Sequence, residues 1–341
     1  MKDYINIKHV GICIGALALI LIATLIIINI EPSEEAKYKE YAKETTLLTA
    51  GDDTMSLDEG VFLTKNKQAY YEASYLAQGY SLDWSVIYTD NKTFEQVVLD
   101  ESLEFVKQIF LFSEYAMDNN ITLTDEEIKS VEADVKEFLS SSSETVIKAT
   151  LADEDLLERI YTRTAYYNKV CELICEDADL TVTDEEARQC LVTAIEISPL
   201  YFDSPDRTAN KILERVKSGE IITQVAKIYD AEATEGHVGL GDMNGDALEK
   251  LCLSLGDGEC GMVEIDGTYF VVYCHLANDT EAAKEAKELI LEEKKNEVVK
   301  AFFAELQKDI EITVNEDAWD TINFDNVIFT EEDLNATSSK K

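Results

Sequence analysis

Leu191-Val192-Thr193-Ala194-Ile195-Glu196-Ile197-Ser198 opens the stretch whose reading decides the fold. Its run of β-branched and apolar residues predicts a strand. A loop carrying Ser204-Pro205 leads to a helix over 207–218, with Ile212 and Val216 on one face. Gly219 stands at its stop, where a positive φ is wanted. A second short helix is expected over 222–229, then a glycine-rich loop, Gly236-His237-Val238-Gly239-Leu240-Gly241. A third helical piece over 247–255 stops at Gly256-Asp257-Gly258. Two strands, 262–265 and 268–276, close the stretch, and Asp266-Gly267 between them is a hairpin signal.

That order of elements resembles the parvulin-type peptidyl-prolyl isomerase domain. The resemblance is carried by Ala209-Asn210-Lys211-Ile212-Leu213-Glu214-Arg215-Val216-Lys217-Ser218-Gly219, by Val225-Ala226-Lys227-Ile228-Tyr229 and by Gly236-His237-Val238-Gly239. It continues in Ser254-Leu255-Gly256-Asp257-Gly258-Glu259 and in Thr268-Tyr269-Phe270-Val271-Val272. Parvulins place one histidine on the first strand and one on the last, near an acid or thiol and an apolar shelf for the proline ring. Carried over residue by residue, the first histidine falls on Ile195 or Glu196 and the second on Phe270. The resemblance implies catalytic positions at Glu232 and Glu196, and a substrate groove of Ile195, Met243, Leu248 and Phe270. Both histidines are absent. Isomerisation breaks amide resonance, a barrier of about 18–20 kcal/mol, and a site without its polar constellation lowers it less. The resemblance therefore implies a groove for extended or proline-containing chain, with isomerase activity weak or lost.

Outside this stretch, 341 residues allow about two domains and a tail, and 46% hydrophobic residues suffice for a packed core. Three prolines and abundant Glu, Lys, Leu and Ala predict a mostly helical remainder. A net charge of −39 argues against nucleic acid, whose phosphates repel such a surface. It suits solubility, and more sharply a bias toward basic client chains. Of seven cysteines, Cys13 lies in an apolar segment, and Cys171 and Cys175 sit i, i+4 on a helix with Leu156, Ile160, Thr164 and Tyr167. They read as small buried hydrophobes. No Cys-x-x-Cys or Cys/His metal spacing occurs, so neither metal nor cofactor is expected. His237, in the glycine-rich loop, and His275, at the end of the last strand, are the histidines that could rescue catalysis. Asp242 and Asp246 beside His237 read as turn residues.

Residues 10–30 carry no charge and, at about 1.5 Å per residue, match a bilayer core of about 30 Å. Lys2 and Lys8 precede them and Glu31, Glu34 and Glu35 follow, so an uncleaved single-pass anchor with the bulk outside is expected, with a cleaved signal peptide as the competing reading. Residues 32–55 read as a stalk. From Ser56 the pattern is helical, with capping boxes at Ser56-Leu57-Asp58-Glu59, Thr124-Asp125-Glu126-Glu127 and Thr183-Asp184-Glu185-Glu186. The aromatic stripe Tyr70, Tyr71, Tyr75, Phe105, Phe110, Phe112 reads as core first, and second as uncovered surface in a helical cradle that would hold unfolded chain. After the parvulin-like stretch a helix of about 30 residues carries Val299, Phe302, Phe303, Leu306 and Ile310 on one face and needs a partner. The segment 321–341 reads as a tail.

A helical module over 56–186, an inserted parvulin-like domain over 187–278 and a returning helix over 279–320 is similar to the PrsA/SurA-type extracytoplasmic foldases. The fold class expected is α+β, a mostly helical chaperone module with an inserted small antiparallel sheet and one N-terminal transmembrane helix. The resemblance implies a membrane-anchored chaperone for unfolded or extended exported polypeptides, and leaves a homodimer open. A weak isomerase using Glu232 and a non-catalytic envelope-assembly or docking protein are the alternatives.

Overall fold

The computed structural model describes residues 33–243 and 245–338. The anchor expected over residues 10–30 lies outside the described residues, among which no helix is long and apolar enough to cross a membrane. The described chain divides into two compact units, residues 33–171 with 303–338, and residues 172–302.

In the first unit Ser33 caps α1 (Glu34–Glu44), and β1 (Thr46–Ala50) and β2 (Asp53–Ser56) follow as a hairpin. Ser56 and Glu59 close the capping box of α2 (Leu57–Ala77), and Gly79 stops it with φ +81°. A ribbon of β3 (Ile87–Thr89) and β4 (Lys92–Thr93) turns through Asp90 and Asn91, both at positive φ, into α3 (Phe94–Asp118). Thr124 and Glu127 box the start of α4 (Asp125–Ser141). α5 (Glu144–Ala149) and α6 (Glu154–Glu176) complete this half.

The second unit follows. Thr183 and Glu186 exchange capping-box hydrogen bonds, yet only a turn forms there, because β5 (Gln189–Ile197) begins three residues later. Then come α7 (Pro205–Lys217), α8 (Ile222–Ile228), β6 (Ala233–Gly239), α9 (Ala247–Ser254), β7 (Cys260–Ile265) and β8 (Thr268–Leu276). The glycine-rich stretch expected as a loop is strand β6 over Gly236–Gly239. Gly236 and Gly239 pair with Val192 and Gln189 instead of turning. The turn comes after it, where Gly241 has φ +93°. Asp266 and Gly267 both take positive φ, the geometry that matches the twist of a two-residue hairpin. The sheet order is β6-β5-β8-β7, antiparallel throughout.

The chain re-enters the first unit within α10 (Thr280–Asp309), and β9 (Thr313–Val314), α11 (Glu316–Trp319) and α12 (Glu331–Ser338) follow. Phe303 is buried and meets Phe112 edge-on at 6.2 Å. β9 adds to β1, making the sheet β2-β1-β9.

Two expectations need correction. The stalk over 32–55 is folded. Leu47 and Leu48 are fully buried in the core with Met55, Phe110, Leu157 and Trp319. β1 shows only two adjacent leucines, and the second of its two sheet partners, β9, lies some 260 residues further along the chain. The tail over 321–341 is also folded in its first part, since Ile322, Phe324 and Ile328 are buried. Below the core, Asp58 and Glu59, each 3% exposed, meet Arg159 at 2.6 and 3.2 Å. Arg163 reaches Glu59 at 2.9 Å and Glu114 at 2.5 Å. A buried ionic cluster of this kind ties α2, α3 and α6 in one arrangement, because an unpaired member would keep its desolvation cost.

Candidate functional site

Successive strand residues face opposite sides of a sheet, and register partners share a side. On one face of the four-stranded sheet, Ile195, Ile197 and Val271 pack with Ile212, Val216 and Val225 from α7 and α8. The other face carries Val192, Val272 and Cys274 under Cys252 of α9, with Ala194, Met243 and Leu248 packed around them. α9 approaches closely there: a side chain at Gly261 would meet Leu251 Cδ1 at 2.6 Å.

Glu196 and Phe270 are register partners on this second face, and Val263 is the partner of Phe270 on the next strand. Glu196 is exposed and Phe270 half-buried, so the two form the end of the face beyond the α9 cluster. Just past β5, Leu200 and Tyr201 are each 83% exposed. The structure thus brings together on one face Glu196, Phe270, Met243 and Leu248. It separates Ile195 from them. Ile195 is fully buried on the opposite face, so it is a core residue and lines no groove. Glu232 is exposed in the loop ahead of β6, next to Ala233, the register partner of Ile195.

Neither histidine reaches this place. His237 pairs in register with Leu191, five residues from Glu196 along β5, or about 17 Å at strand rise. Its Nε2 lies 3.1 Å from Asp279 Oδ2. His275 Nε2 lies 2.7 Å from Thr193 Oγ1, on the face of Ile195. Chemically, this end of the sheet face offers one exposed carboxylate and apolar side chains. That composition suits holding a chain and supplies no imidazole for acid–base work. One organising residue escaped the sequence reading. Glu249 is 1% exposed, and its Oε2 accepts from the Met243 and Gly245 amides at 2.9 and 3.0 Å. These amides, Met243 first, with that of Gly241, hold its carboxyl below the usual range. It thereby fixes the loop that presents Met243.

A second feature belongs to the first unit. The aromatic stripe read as core is divided. Phe110 and Phe112 are fully buried, whereas Tyr70 is 68% and Tyr75 37% exposed. The β3–β4 ribbon adds Ile87 at 62% and Tyr88 at 66%. Tyr70, Tyr71, Phe94 and Tyr88 follow one another at ring separations of 5.8, 5.3 and 5.2 Å, and Tyr75 lies 6.5 Å from Phe94. The chain of rings ends on buried Trp84, stacked on Phe94 at 5.2 Å. Tyr71 and Tyr75 share a helix face because they are i, i+4. Tyr88 joins them because the Asp90-Asn91 turn folds its strand back. That two-residue turn between short β-branched runs was the signal available in the sequence.

No protein-family profile and no curated protein matches the chain. Solved structures do. A PrsA peptidylprolyl isomerase from Bacillus cereus is 18% identical over 76% of this chain and 98% of that one, with a TM-score of 0.35. The foldase PrsA of Streptococcus pneumoniae is 16% identical over 70% and 97%, with a TM-score of 0.28. A SurA-like chaperone of Campylobacter jejuni is 11% identical over 80% and 99%, also at 0.28. The solved structures that this chain is similar to are thus PrsA foldases and SurA-like chaperones.

Proposed function

We propose that this chain is a membrane-anchored, extracytoplasmic chaperone that holds unfolded or extended exported polypeptides, and that its parvulin-like sheet unit binds proline-containing chain without turning it over. The observation that carries the reading is the exposed ring surface of Tyr70, Tyr75 and Tyr88, linked through Phe94. Contiguous apolar surface of this kind marks an interaction site on a folded protein. Rings with a polar tip bury large area at low conformational cost. The face of Glu196 and Phe270 supports the second half of the reading, since an exposed carboxylate and a ring stand at the positions where the resemblance puts imidazoles. The net charge of −39 adds a preference for basic segments among clients.

The test follows aggregation of a reduced, unfolded probe protein in the presence of the full chain. Tyr70→Ser, Tyr75→Ser and Tyr88→Ser together are expected to raise the concentration needed for half-protection about tenfold. Unchanged protection overturns the reading. A proline-peptide isomerisation assay on the same sample is expected to show no acceleration. Acceleration that disappears in Glu232→Ala would move the assignment to an enzyme.

A further inference from the structure

Residues 322–329, Ile-Asn-Phe-Asp-Asn-Val-Ile-Phe, contain no helix or strand, yet they are held tightly along α2 and the start of α3. Five hydrogen bonds tie this strap to the groove, and all five end on its main chain. Lys65 Nζ donates to the Asn323 carbonyl, and Gln68 Nε2 donates to the Asn326 carbonyl at 2.8 Å. Glu95 Oε1 accepts from the Phe324 amide at 2.6 Å. Glu72 Oε2 accepts from the Ile328 and Phe329 amides, each at 2.9 Å. The acceptor Glu72 is itself buried and held by Gln68 and by Trp84 Nε1 at 3.1 Å. Three of its side chains are buried: Ile322 joins the main core beside Trp319, and Phe324 and Ile328 enter the groove four residues apart. Phe324 lies 4.6 Å from the Trp84 ring, with Lys65 Nζ 5.4 Å from the centre of the Phe324 ring, and Ile328 is 3% exposed, while Val327 between them stays 60% exposed.

This pattern reads backbone everywhere and side chains only through apolar pockets, so any extended chain with suitable large residues satisfies it. The strap also underfills its track. Beside Phe329 a cavity of about 460 Å³ stays open, lined by Ala69, Ala73, Phe138 and Val146 together with the polar Asn66, Ser142 and Asp333. The cavity is larger than one ring needs, so a bulkier or longer apolar segment makes contacts there that the strap forgoes.

We propose that this groove is a binding cleft for extended polypeptide carrying large apolar residues four positions apart, and that residues 322–329 are its resident occupant, displaced when such a segment binds. The cleft stands on the contacts just given; that its ligands are client chains rests on the chaperone reading above. A tethered strap competes at an effective concentration of about millimolar. Removing it therefore strengthens binding of a free peptide about a hundredfold.

The experiment uses a fluorescein-labelled peptide of residues 320–331, with anisotropy read against the full chain and against a chain ending at Thr321. The shortened chain is expected to bind it at about 10 μM and the full chain about a hundredfold more weakly. A peptide with alanine at positions 324 and 328 is expected to bind neither. No binding to a folded shortened chain, or equal binding to both chains, overturns the proposal. Hydrogen exchange in the full chain keeps the test open if the shortened chain does not fold. Saturating peptide or reduced client protein is expected to speed exchange at the Phe324, Ile328 and Phe329 amides at least tenfold, and unchanged protection overturns the proposal. Peptide binding without any held client would sink the chaperone reading alone. Held client with an undisturbed strap would sink the cleft alone.

Discussion

Glu72→Gln isolates the chemistry that fastens the strap. The native carboxylate presents one oxygen to Gln68 and Trp84 and the other to the Ile328 and Phe329 amides. Glutamine keeps the shape and one acceptor. Whichever way the amide turns, two donors are left facing an NH₂ group. A buried donor without an acceptor costs about 1–3 kcal/mol. Two of them, offset in part because no buried charge must then be desolvated, give a net loss of about 2–4 kcal/mol. For a unit of this size that is a fall of about 5–15 °C in Tm. Both tryptophans, Trp84 and Trp319, belong to the first unit, so fluorescence melting reports that unit alone. The control is Glu101→Gln, which breaks an exposed pair with Lys67 at 2.8 Å and costs about 0–1 kcal/mol. If Glu72→Gln melts with the control, the reasoning is refuted.

Other expectations follow from the same accounting. Ile195→Ala empties a fully buried position and should cost the second unit about 2–5 kcal/mol in urea unfolding followed by hydrogen exchange, whereas Glu196→Ala next to it should be near neutral; equal effects would contradict the face assignment. Arg163→Ala leaves Glu59 and Glu114 without their shared cation and should cost about 3–5 kcal/mol, measured by thermal melting; a loss under about 1 kcal/mol would show the cluster to be dispensable. Lys169, with the Thr124 amide and hydroxyl, draws the Glu127 carboxyl down to about 2. A depressed pKa contributes stability above the unfolded value of about 4.3, and that contribution is lost as pH falls from about 4 to about 2. Glu127→Gln should flatten this part of a stability–pH curve, and an unaltered curve would exclude the pair as its source. Burial pushes the thiol of Cys252 up to about 12 and that of Cys274 to about 11. Iodoacetamide at pH 8 should leave both unlabelled until guanidinium is added, and native labelling would contradict their burial.

What the sequence made legible, and what it did not, divides along physical lines. Local signals were readable. Ser56-x-x-Glu59 and Thr124-x-x-Glu127 start helices where the capping box requires, and Asp266-Gly267 turns the last hairpin. The small antiparallel sheet among helices followed from those signals. The position opposite Phe270 was uncertain by one residue, and in a strand one residue exchanges the two faces. The structure gives the faces: Ile195 is buried in the core, and Glu196 is exposed on the opposite face beside Phe270. Long-range pairing was not readable. Leu47-Leu48 is too short an apolar run to announce a strand, and β9, which completes its sheet, follows some 260 residues later. The exposed tyrosines were read as core because composition alone does not say which side of a helix finds a neighbour. In the strap, alternating Asn and Asp resemble a loop, and only the donors and acceptors on α2 and α3 order them.

The closure of β1 by β9 also fixes a sequence of events in time. A chain leaving the ribosome emits Leu47, Leu48 and Phe110 long before Val314 and Trp319. The second unit, about 130 residues lying between, is finished first. At about 5–20 residues per second the first unit waits about 7–25 s with its largest apolar side chains uncovered. During that interval the nascent protein is itself a sticky, half-made polypeptide. Its yield is then set by how promptly residues 303–328 arrive, and a premature stop after residue 302 would spare the sheet unit while leaving the helical one unable to close.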